Sequence, residues 1–113
     1  QRIARQYDIG ISNFKNLKTL NNNYHEVVPH IYPLILGEEL NREMIQTKLT
    51  ECGIQTGIHY QPNHNLILYK DDYSELLPVT ERIAPYLLSL PMHPELSGND
   101  IEYIINALDD IIN

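Results

Sequence analysis

Apolar residues recur at the spacing of an amphipathic helix in three parts of the chain. The pattern predicts helices over residues 1–8 and 41–52 and a third from residue 98 onward. The apolar positions that define them are Ile3, Ala4 and Tyr7, then Met44, Ile45, Leu49 and Cys52, and finally Ile101, Ile104, Ile105, Leu108 and Ile112. The third stripe is wide enough to need a partner surface, so this helix is expected to pack on a sheet.

The ends of the second and third helices carry capping signals. Asn41 is a residue type that caps helix N-termini, and Glu43 follows it in the first turn. Gly53 suits the left-handed conformation that commonly ends a helix. Ser97, followed by Asp100 three residues later, is a variant of the capping box. These local signals predict helix boundaries independently of the apolar periodicity.

Alternation of apolar and polar residues predicts three strands, over residues 27–36, 54–60 and 86–90. Pro29 and Pro33 lie inside the first, which indicates an edge strand or interrupted pairing. In the second, one face carries Ile54, Thr56, Ile58 and Tyr60, and the other carries Gln55, Gly57 and His59.

The segments between these elements are predicted to be irregular. Residues 10–24 and 65–78 are expected to be loops, with a short helical turn near Tyr73 and another over residues 79–84. The order helix, strand, helix, strand, strand, helix predicts an α+β fold: a small, mostly antiparallel sheet with helices packed on one face. At 113 residues the chain is expected to form one domain.

The net charge and the numbers of cysteines and histidines argue against several kinds of partner and site. The net charge is −7, and Lys and Arg form no run, so neither a nucleic acid nor a membrane is an expected partner. Cys52 is the only cysteine, which excludes an internal disulfide and predicts a reducing, cytoplasmic location. Its place on the apolar side of a helix predicts a small buried hydrophobe. The five histidines lack the spacing of a zinc site, so no metal is expected.

The loop after the second predicted strand is the main candidate for binding chemistry. His59, Tyr60 and His64 supply hydrogen-bond donors and acceptors without a fixed charge, which suits a polar, uncharged ligand such as a sugar. Tyr60 either contacts that ligand or packs in the core, since it shares a face with Ile54 and Ile58. His93, set between prolines, is more typical of a structural turn. The tyrosines in predicted strands and helices are expected to be buried or half-buried; they are Tyr32, Tyr86 and Tyr103.

Taken in order, the motifs of the chain resemble the DegT/DnrJ/EryC1/StrS family of pyridoxal-phosphate-dependent sugar aminotransferases. The matching segments are RIARQY at 2–7, HIYP at 30–33, NR at 41–42, CGIQTGIHYQPNH at 52–64, LPVTE at 77–81, LSLPMHP at 88–94 and LS at 96–97. Each segment is short, but together they extend over nearly the whole chain in the family's order.

The resemblance implies the C-terminal small domain of a fold-type I aminotransferase, with residues 1–24 as a linking helix and loop and residues 25–113 as an α+β core. Such enzymes transfer an amino group, usually from glutamate, to a keto group of a nucleotide-linked sugar, as in polysaccharide biosynthesis. Pyridoxal phosphate forms a Schiff base with a lysine of their large domain. No lysine here lies in the family's Schiff-base segment; the four are Lys15, Lys18, Lys48 and Lys70. The chain alone is therefore expected to hold no cofactor and no catalytic residue, and to be inactive.

By position in the family's motif, the substrate-binding candidates are His59, Tyr60 and His64, which would bond sugar hydroxyls or the nucleotide diphosphate. Asn63 departs from the small or apolar residue usual before that histidine. The resemblance also implies an upstream large domain and a homodimer, and the start at Gln1, within a predicted helix, fits the expectation of a fragment. Two alternatives remain: a free-standing small-molecule-binding or regulatory module, and, more remotely, a piece of a metal-dependent hydrolase.

Overall fold

The computed structural model of the chain describes residues 1–69 and 77–113. The helical turn predicted near Tyr73 lies outside these residues. The α-helices are α1 (Arg2–Ile11), α2 (Arg42–Glu51), α3 (Pro78–Ile83) and α4 (Gly98–Ile112). The strands are β1 (Leu17–Thr19), β2 (Tyr32–Leu36) and β3 (Leu87–Leu90), and short 3₁₀ turns lie at Asn63–Asn65 and Ala84–Tyr86. The predicted α+β class is confirmed.

The three strands form one antiparallel sheet in the order β1-β2-β3. α4 packs against α1 and α2, and its buried side chains join those of the sheet in a single core. α1 is fixed to the sheet through the ring of Tyr7, whose centroid lies 4.7 Å from that of Tyr32. The hydroxyl of Tyr32 in turn donates to Oδ1 of Asp8 at 2.6 Å, so the two aromatic residues are held by packing and by a hydrogen bond.

The predicted capping signals operate as expected. Oδ1 of Asn41 accepts a hydrogen bond from the backbone N–H of Met44 at 2.9 Å. Ser97 and Asp100 form a complete capping box, in which each side chain accepts from the backbone N–H of the other residue. Gly53 follows α2 with φ +75°, the conformation that favours glycine. The N-termini of α2 and α4 are therefore set by local side-chain hydrogen bonds.

β2 is the central strand, so the predicted edge position is wrong, but the alternative of interrupted pairing holds on one side. Ser89 exchanges both backbone hydrogen bonds with Gly57, at 2.8 and 3.0 Å, and so turns its N–H and C=O away from its ladder partner Pro33. In an antiparallel ladder Pro33 must then point its nitrogen toward β1, which has already ended at Thr19, opposite Leu34. The absent N–H of proline leaves no ladder bond unmade.

Two other strand predictions need correction. β1 lies in residues 10–24, which were expected to be loop, because only its pairing with β2 makes this polar segment extended. The strand expected over residues 54–60 is reduced to one bridge, between Gly57 and Ser89. Ile54 is buried, as the alternation over residues 54–60 predicts, but the segment pairs with β3 at only one position.

Two side chains are more exposed than expected: Cys52, predicted to be buried, and Tyr103, predicted to be buried or half-buried. Cys52 follows the last residue of α2, where the chain turns at Gly53, and is therefore carried away from the buried face of that helix. Tyr103 is 55% exposed on α4, and its hydroxyl donates to the carbonyl of Cys52 at 3.0 Å. The ring thus covers the C-terminal end of α2 instead of entering the core. Within the described ranges, none of the helices has the length and apolar character needed to cross a bilayer.

Candidate functional site

A cavity with a volume of 820 Å³ opens beside the edge of β3 that faces away from β2. Its walls are residues 53–57, the segment that follows β3, and the first turns of α4. Apolar side chains line part of it, among them Met92 and Leu96. Its polar side chains include three imidazoles, from His30, His59 and His93. A mixed lining of this kind is typical of a small-molecule site.

His59 is the one predicted site residue that lines this cavity. Its ring lies over the backbone of Gly57, where an added Cβ would come within 2.7 Å of Cε1. Gly57 is itself bonded to Ser89 of β3 on both its N–H and its C=O. Nδ1 of His59 is shut off from solvent and has no hydrogen-bond partner among the described residues. The position of the imidazole therefore depends on β3 through Gly57.

Tyr60 faces a different depression. It follows His59 through a cis peptide bond, and the two rings meet edge to face with centroids 5.1 Å apart. Tyr60 is 71% exposed and, together with Arg42 and Glu81, lines a second cavity of 500 Å³. The alternative in which Tyr60 packs in the core is wrong. Its phenol is accessible to a ligand, but from the other side of the loop.

His64 is the most enclosed of the three candidates, with only 5% of its surface exposed. Its Nε2 lies 3.2 Å from Oε1 of Glu81 on α3. The contact ties the turn at Asn63–Asn65 to α3 and fixes the end of the loop that carries the other two residues. A ligand that bonded Nε2 of His64 would have to displace the Glu81 carboxylate.

The structure thus places the three predicted residues on one loop but not in one cavity. His59 lies with His30 and His93, which sequence reasoning did not group with it. The three histidines are brought together by the bridge between Gly57 and Ser89, which places the segment after α2 beside the segment after β3. A bridge of one residue pair produces no hydrophobic periodicity from which it could be predicted.

Arg42 is a further residue that the sequence did not single out for a role. Its Nη1 donates to the carbonyls of Ala84 at 2.6 Å and Leu87 at 3.2 Å. These bonds hold the first turn of α2 against the start of β3, while the same guanidinium borders the cavity of Tyr60. Arg42 therefore fixes the start of α2 relative to residues 84–87 at the border of the cavity that Tyr60 lines.

One carboxylate at the rim of the larger cavity is held in its charged form. Hydrogen bonds from the side chain and backbone of Ser97 lower the pKa of Asp100, and the nearby His93 acts in the same direction. Asp100 is fixed by the capping box and so presents a stationary negative charge at the mouth. An anionic group approaching this side would be repelled, which favours an uncharged portion of a ligand there.

The residues described do not fit a pyridoxal-phosphate site. A Schiff-base lysine is normally activated by desolvation or by a neighbouring cation within a pocket. Lys15, Lys18 and Lys48 are all exposed, and none of them lines the cavity that holds His59. Lys70 lies outside the described residues. No His, Cys, Asp or Glu side chains in residues 1–69 and 77–113 are grouped in threes that could hold a metal ion.

Comparison with known proteins gives a consistent result over most of the chain. The sequence pattern of the DegT/DnrJ/EryC1/StrS aminotransferase family matches residues 1–109. The chain is 30% identical over 96 residues to the UDP-4-amino-4-deoxy-L-arabinose–oxoglutarate aminotransferase of Shewanella sediminis, an alignment that covers 79% of the chain and 24% of that protein. The chain therefore spans about a quarter of the length of this curated relative.

Solved structures share the fold. A DegT DnrJ EryC1 StrS aminotransferase from Brucella abortus superposes with a TM-score of 0.74 at 30% identity, over 96% of the chain and 29% of that protein. An aminotransferase of Helicobacter pylori involved in pseudoaminic acid biosynthesis gives 0.81 at 21% identity, over 97% of the chain and 31% of that protein. The expected likeness to the small domain of fold-type I aminotransferases is confirmed.

Proposed function

Since the chain belongs to the DegT/DnrJ/EryC1/StrS aminotransferase family, we propose that it is the C-terminal small domain of a pyridoxal-phosphate-dependent sugar aminotransferase. The complete enzyme would transfer an amino group from glutamate to a keto group of a nucleotide-linked sugar. The observation that carries this proposal is the family match over residues 1–109, because it includes the loop with all three candidate residues.

The finer parts of the proposal draw on the named relatives and on the cavity. The Shewanella sediminis protein is named for a nucleotide-linked amino sugar and for oxoglutarate, the keto acid that glutamate leaves on losing its amino group. In this chain, the cavity of His59 combines neutral polar side chains with apolar walls, which suits a sugar more than a highly charged ligand. Asp100 at the rim adds to that preference.

We assign His59, Tyr60 and His64 to substrate binding, each in a different way. His59 would contact the substrate from within the cavity, and the exposed phenol of Tyr60 would contact it from the other side of the loop. His64 would either hold the loop through Glu81 or exchange that contact for the substrate. None of the three is assigned a role in proton transfer.

The cofactor and the reactive lysine belong, in this proposal, to a large domain in the rest of the protein. Pyridoxal phosphate supplies the electron sink for amino transfer when it is bound there. Residues 1–113 would then form one small domain, with residues 1–24 as the link and residues 25–113 as the α+β core. The complete protein is proposed to be a cytoplasmic homodimer that binds neither nucleic acid nor membrane, and the chain alone is proposed to be inactive.

The full-length protein can test the proposal directly. It would be loaded with pyridoxal phosphate, supplied with glutamate and assayed against a panel of nucleotide-linked keto sugars by following oxoglutarate formation. Amino transfer to at least one sugar is expected, and a variant without the Schiff-base lysine should be inactive. Sugar-nucleotide binding with no transfer to any member of the panel would contradict the proposal and support a regulatory module instead.

A second measurement tests whether this chain can bind the cofactor without the large domain. The isolated chain, mixed with pyridoxal phosphate, should develop no internal-aldimine absorbance band, because its described lysines are exposed and lie outside the larger cavity. Stable stoichiometric binding of the cofactor by this chain would contradict the assignment of the reactive lysine to the large domain.

A further inference from the structure

The imidazole of His59 occupies space that a side chain at Gly57 would otherwise fill. The ring lies over Gly57, and a Cβ at that position would come within 2.7 Å of Cε1 and 3.2 Å of Nδ1. Any side chain at residue 57 would therefore force the ring to move. The backbone of Gly57 cannot move away easily from the ring, because two hydrogen bonds fix it to Ser89 in β3.

The surroundings of the two ring nitrogens differ. Nδ1 is buried and lacks a hydrogen-bond partner in the described part of the chain. A proton placed on Nδ1 would be a buried donor without an acceptor, which is strongly unfavourable, whereas an unprotonated nitrogen there loses less. Nε2 is the only other polar atom of the ring, so polar contact with anything in the cavity must pass through it.

From this geometry we propose that Gly57 and Ser89 position His59 as a neutral imidazole that carries its proton on Nε2 and donates it to an acceptor oxygen in the cavity. Gly57 is thus a positioning residue and His59 a residue that selects the ligand. The inference deepens the proposed function and rests on it for the identity of that ligand, which would be a sugar hydroxyl, ring or carbonyl oxygen.

The same geometry predicts which ligand groups would bind poorly at Nε2 of His59. A neutral N–H donor pairs well with an uncharged oxygen, and a ligand that offers only a donor at this point would leave both groups unpaired. The fixed carboxylate of Asp100 lines the same cavity and disfavours an anionic group. The acceptor is therefore expected in the sugar portion of the substrate and not in its diphosphate.

Nitrogen NMR of the full-length, cofactor-loaded protein with ¹⁵N-labelled histidine tests the tautomer. The His59→Gln variant identifies the resonances of His59 by their loss. Nδ1 is expected at the shift of an unprotonated ring nitrogen and Nε2 at that of a protonated one. A proton on Nδ1, or a signal averaged over both nitrogens as in a freely exposed imidazole, would overturn the proposal.

Two substitutions at His59 test the geometry by function. The amide nitrogen of glutamine reaches about as far as Nε2 of histidine, and that of asparagine about as far as Nδ1. His59→Gln should therefore retain much of the affinity for the keto-sugar nucleotide, while His59→Asn should raise its KM about tenfold, as expected for one lost neutral hydrogen bond. The KM for glutamate should stay constant in both. Equal loss in the two variants would overturn the assignment to Nε2.

Gly57→Ala tests the positioning role, with Gly98→Ala as its matched control. A Cβ at Gly98 would meet only Gln6, at an ordinary distance of 3.4 Å from Nε2. Gly57→Ala should abolish the tautomer signature of His59 and raise the sugar-nucleotide KM, whereas Gly98→Ala should change neither. An unchanged His59 spectrum in Gly57→Ala would remove Gly57 from this role.

The outcomes separate this inference from the proposed function. An enzyme that transfers amino groups but shows the opposite tautomer would overturn the inference alone. A protein with the expected tautomer and no amino transfer to any keto sugar would overturn the proposed function and, with it, the identity of the ligand.

Discussion

Nε2 of His64 and Oε1 of Glu81 lie 3.2 Å apart, and this contact joins the end of the candidate loop to α3. The two side chains differ in exposure, since 4% of the His64 side chain is accessible against 49% of that of Glu81. The imidazole therefore acts as a buried anchor, and the carboxylate reaches it from the surface. The loop that presents His59 and Tyr60 is fixed at its far end by this pair.

His64→Ala should weaken both the fold and substrate binding. Loss of a buried, hydrogen-bonded side chain should lower the free energy of unfolding by about 1–3 kcal/mol, measured by denaturant titration. In the full-length enzyme the KM for the sugar nucleotide should rise far more than that for glutamate. Glu81→Gln keeps an acceptor oxygen and should change both quantities less. An unchanged sugar-nucleotide KM in His64→Ala would exclude His64 from the site.

Gly53→Ala should destabilise the protein by about 1 kcal/mol, since alanine tolerates a positive φ less well than glycine. The position has φ +75°, and open space surrounds an added Cβ, so any loss reports backbone conformation and not crowding. Denaturant titration gives the change in unfolding free energy. Gly98→Ala, at a position without positive φ, should show no comparable loss, and equal effects of the two substitutions would argue against this explanation.

The capping box at α4 should make the protein depend on Asp100 at neutral pH but not in acid. Hydrogen bonds from Ser97 lower the pKa of Asp100 below its ordinary value of 3.8, so the folded state favours the charged form. The resulting stability is present above the unfolded-state pKa and is lost as the pH falls through the folded-state pKa. Asp100→Asn should therefore destabilise the protein at pH 7, and the difference from wild type should vanish in strong acid.

Ser97→Ala removes the hydroxyl that donates to the Asp100 carboxylate and accepts from the Asp100 backbone N–H, and it keeps the bond from the backbone N–H of residue 97. Unfolding curves of the two single variants and the double variant, measured across the acid range, should show strong non-additivity, because both substitutions break one unit. Additive effects that persist unchanged in acid would contradict the role assigned to the capping box.

At alkaline pH three buried tyrosines, Tyr7, Tyr24 and Tyr32, should limit stability. Burial raises the pKa of Tyr24 to about 12 from its ordinary value of 10.0, and burial also raises the pKa values of Tyr7 and Tyr32. Stability from a raised pKa is complete below the unfolded-state value and is lost as the pH rises toward the folded-state value. Tyrosinate absorbance and circular dichroism should therefore change together above pH 10. Tyr24→Phe should shift the transition upward, whereas titration of these tyrosines in an intact fold would contradict the prediction.

The helices were predictable because their signals are local. Asn41, Gly53 and Ser97 each act within one turn, and the stripe that includes Ile101 and Leu108 is buried as its spacing predicts. The strands were predicted less well, because strand identity depends on a partner that sequence spacing does not reveal. β1 is a polar three-residue segment that is extended only through β2, and Pro33 is tolerated in a central strand only because β1 ends early.

The candidate site shows the same division. The motif placed His59, Tyr60 and His64 on one loop. Strand alternation allowed Tyr60 a core position and helical spacing put Cys52 on a buried face, and both side chains are exposed. The grouping of His59 with His30 and His93 follows from one bridge between distant segments. Such contacts arise from tertiary packing, so no local pattern could have predicted them.

The attachment of α1 extends beyond the sheet. Tyr7 donates from its hydroxyl to the carbonyl of Pro91 at 2.9 Å, and Arg2 donates to that of Leu96 at 2.7 Å. Both acceptors flank the segment that forms one wall of the larger cavity. The position of α1 therefore sets that of the segment beside His59, although none of the residues of α1 lines this cavity.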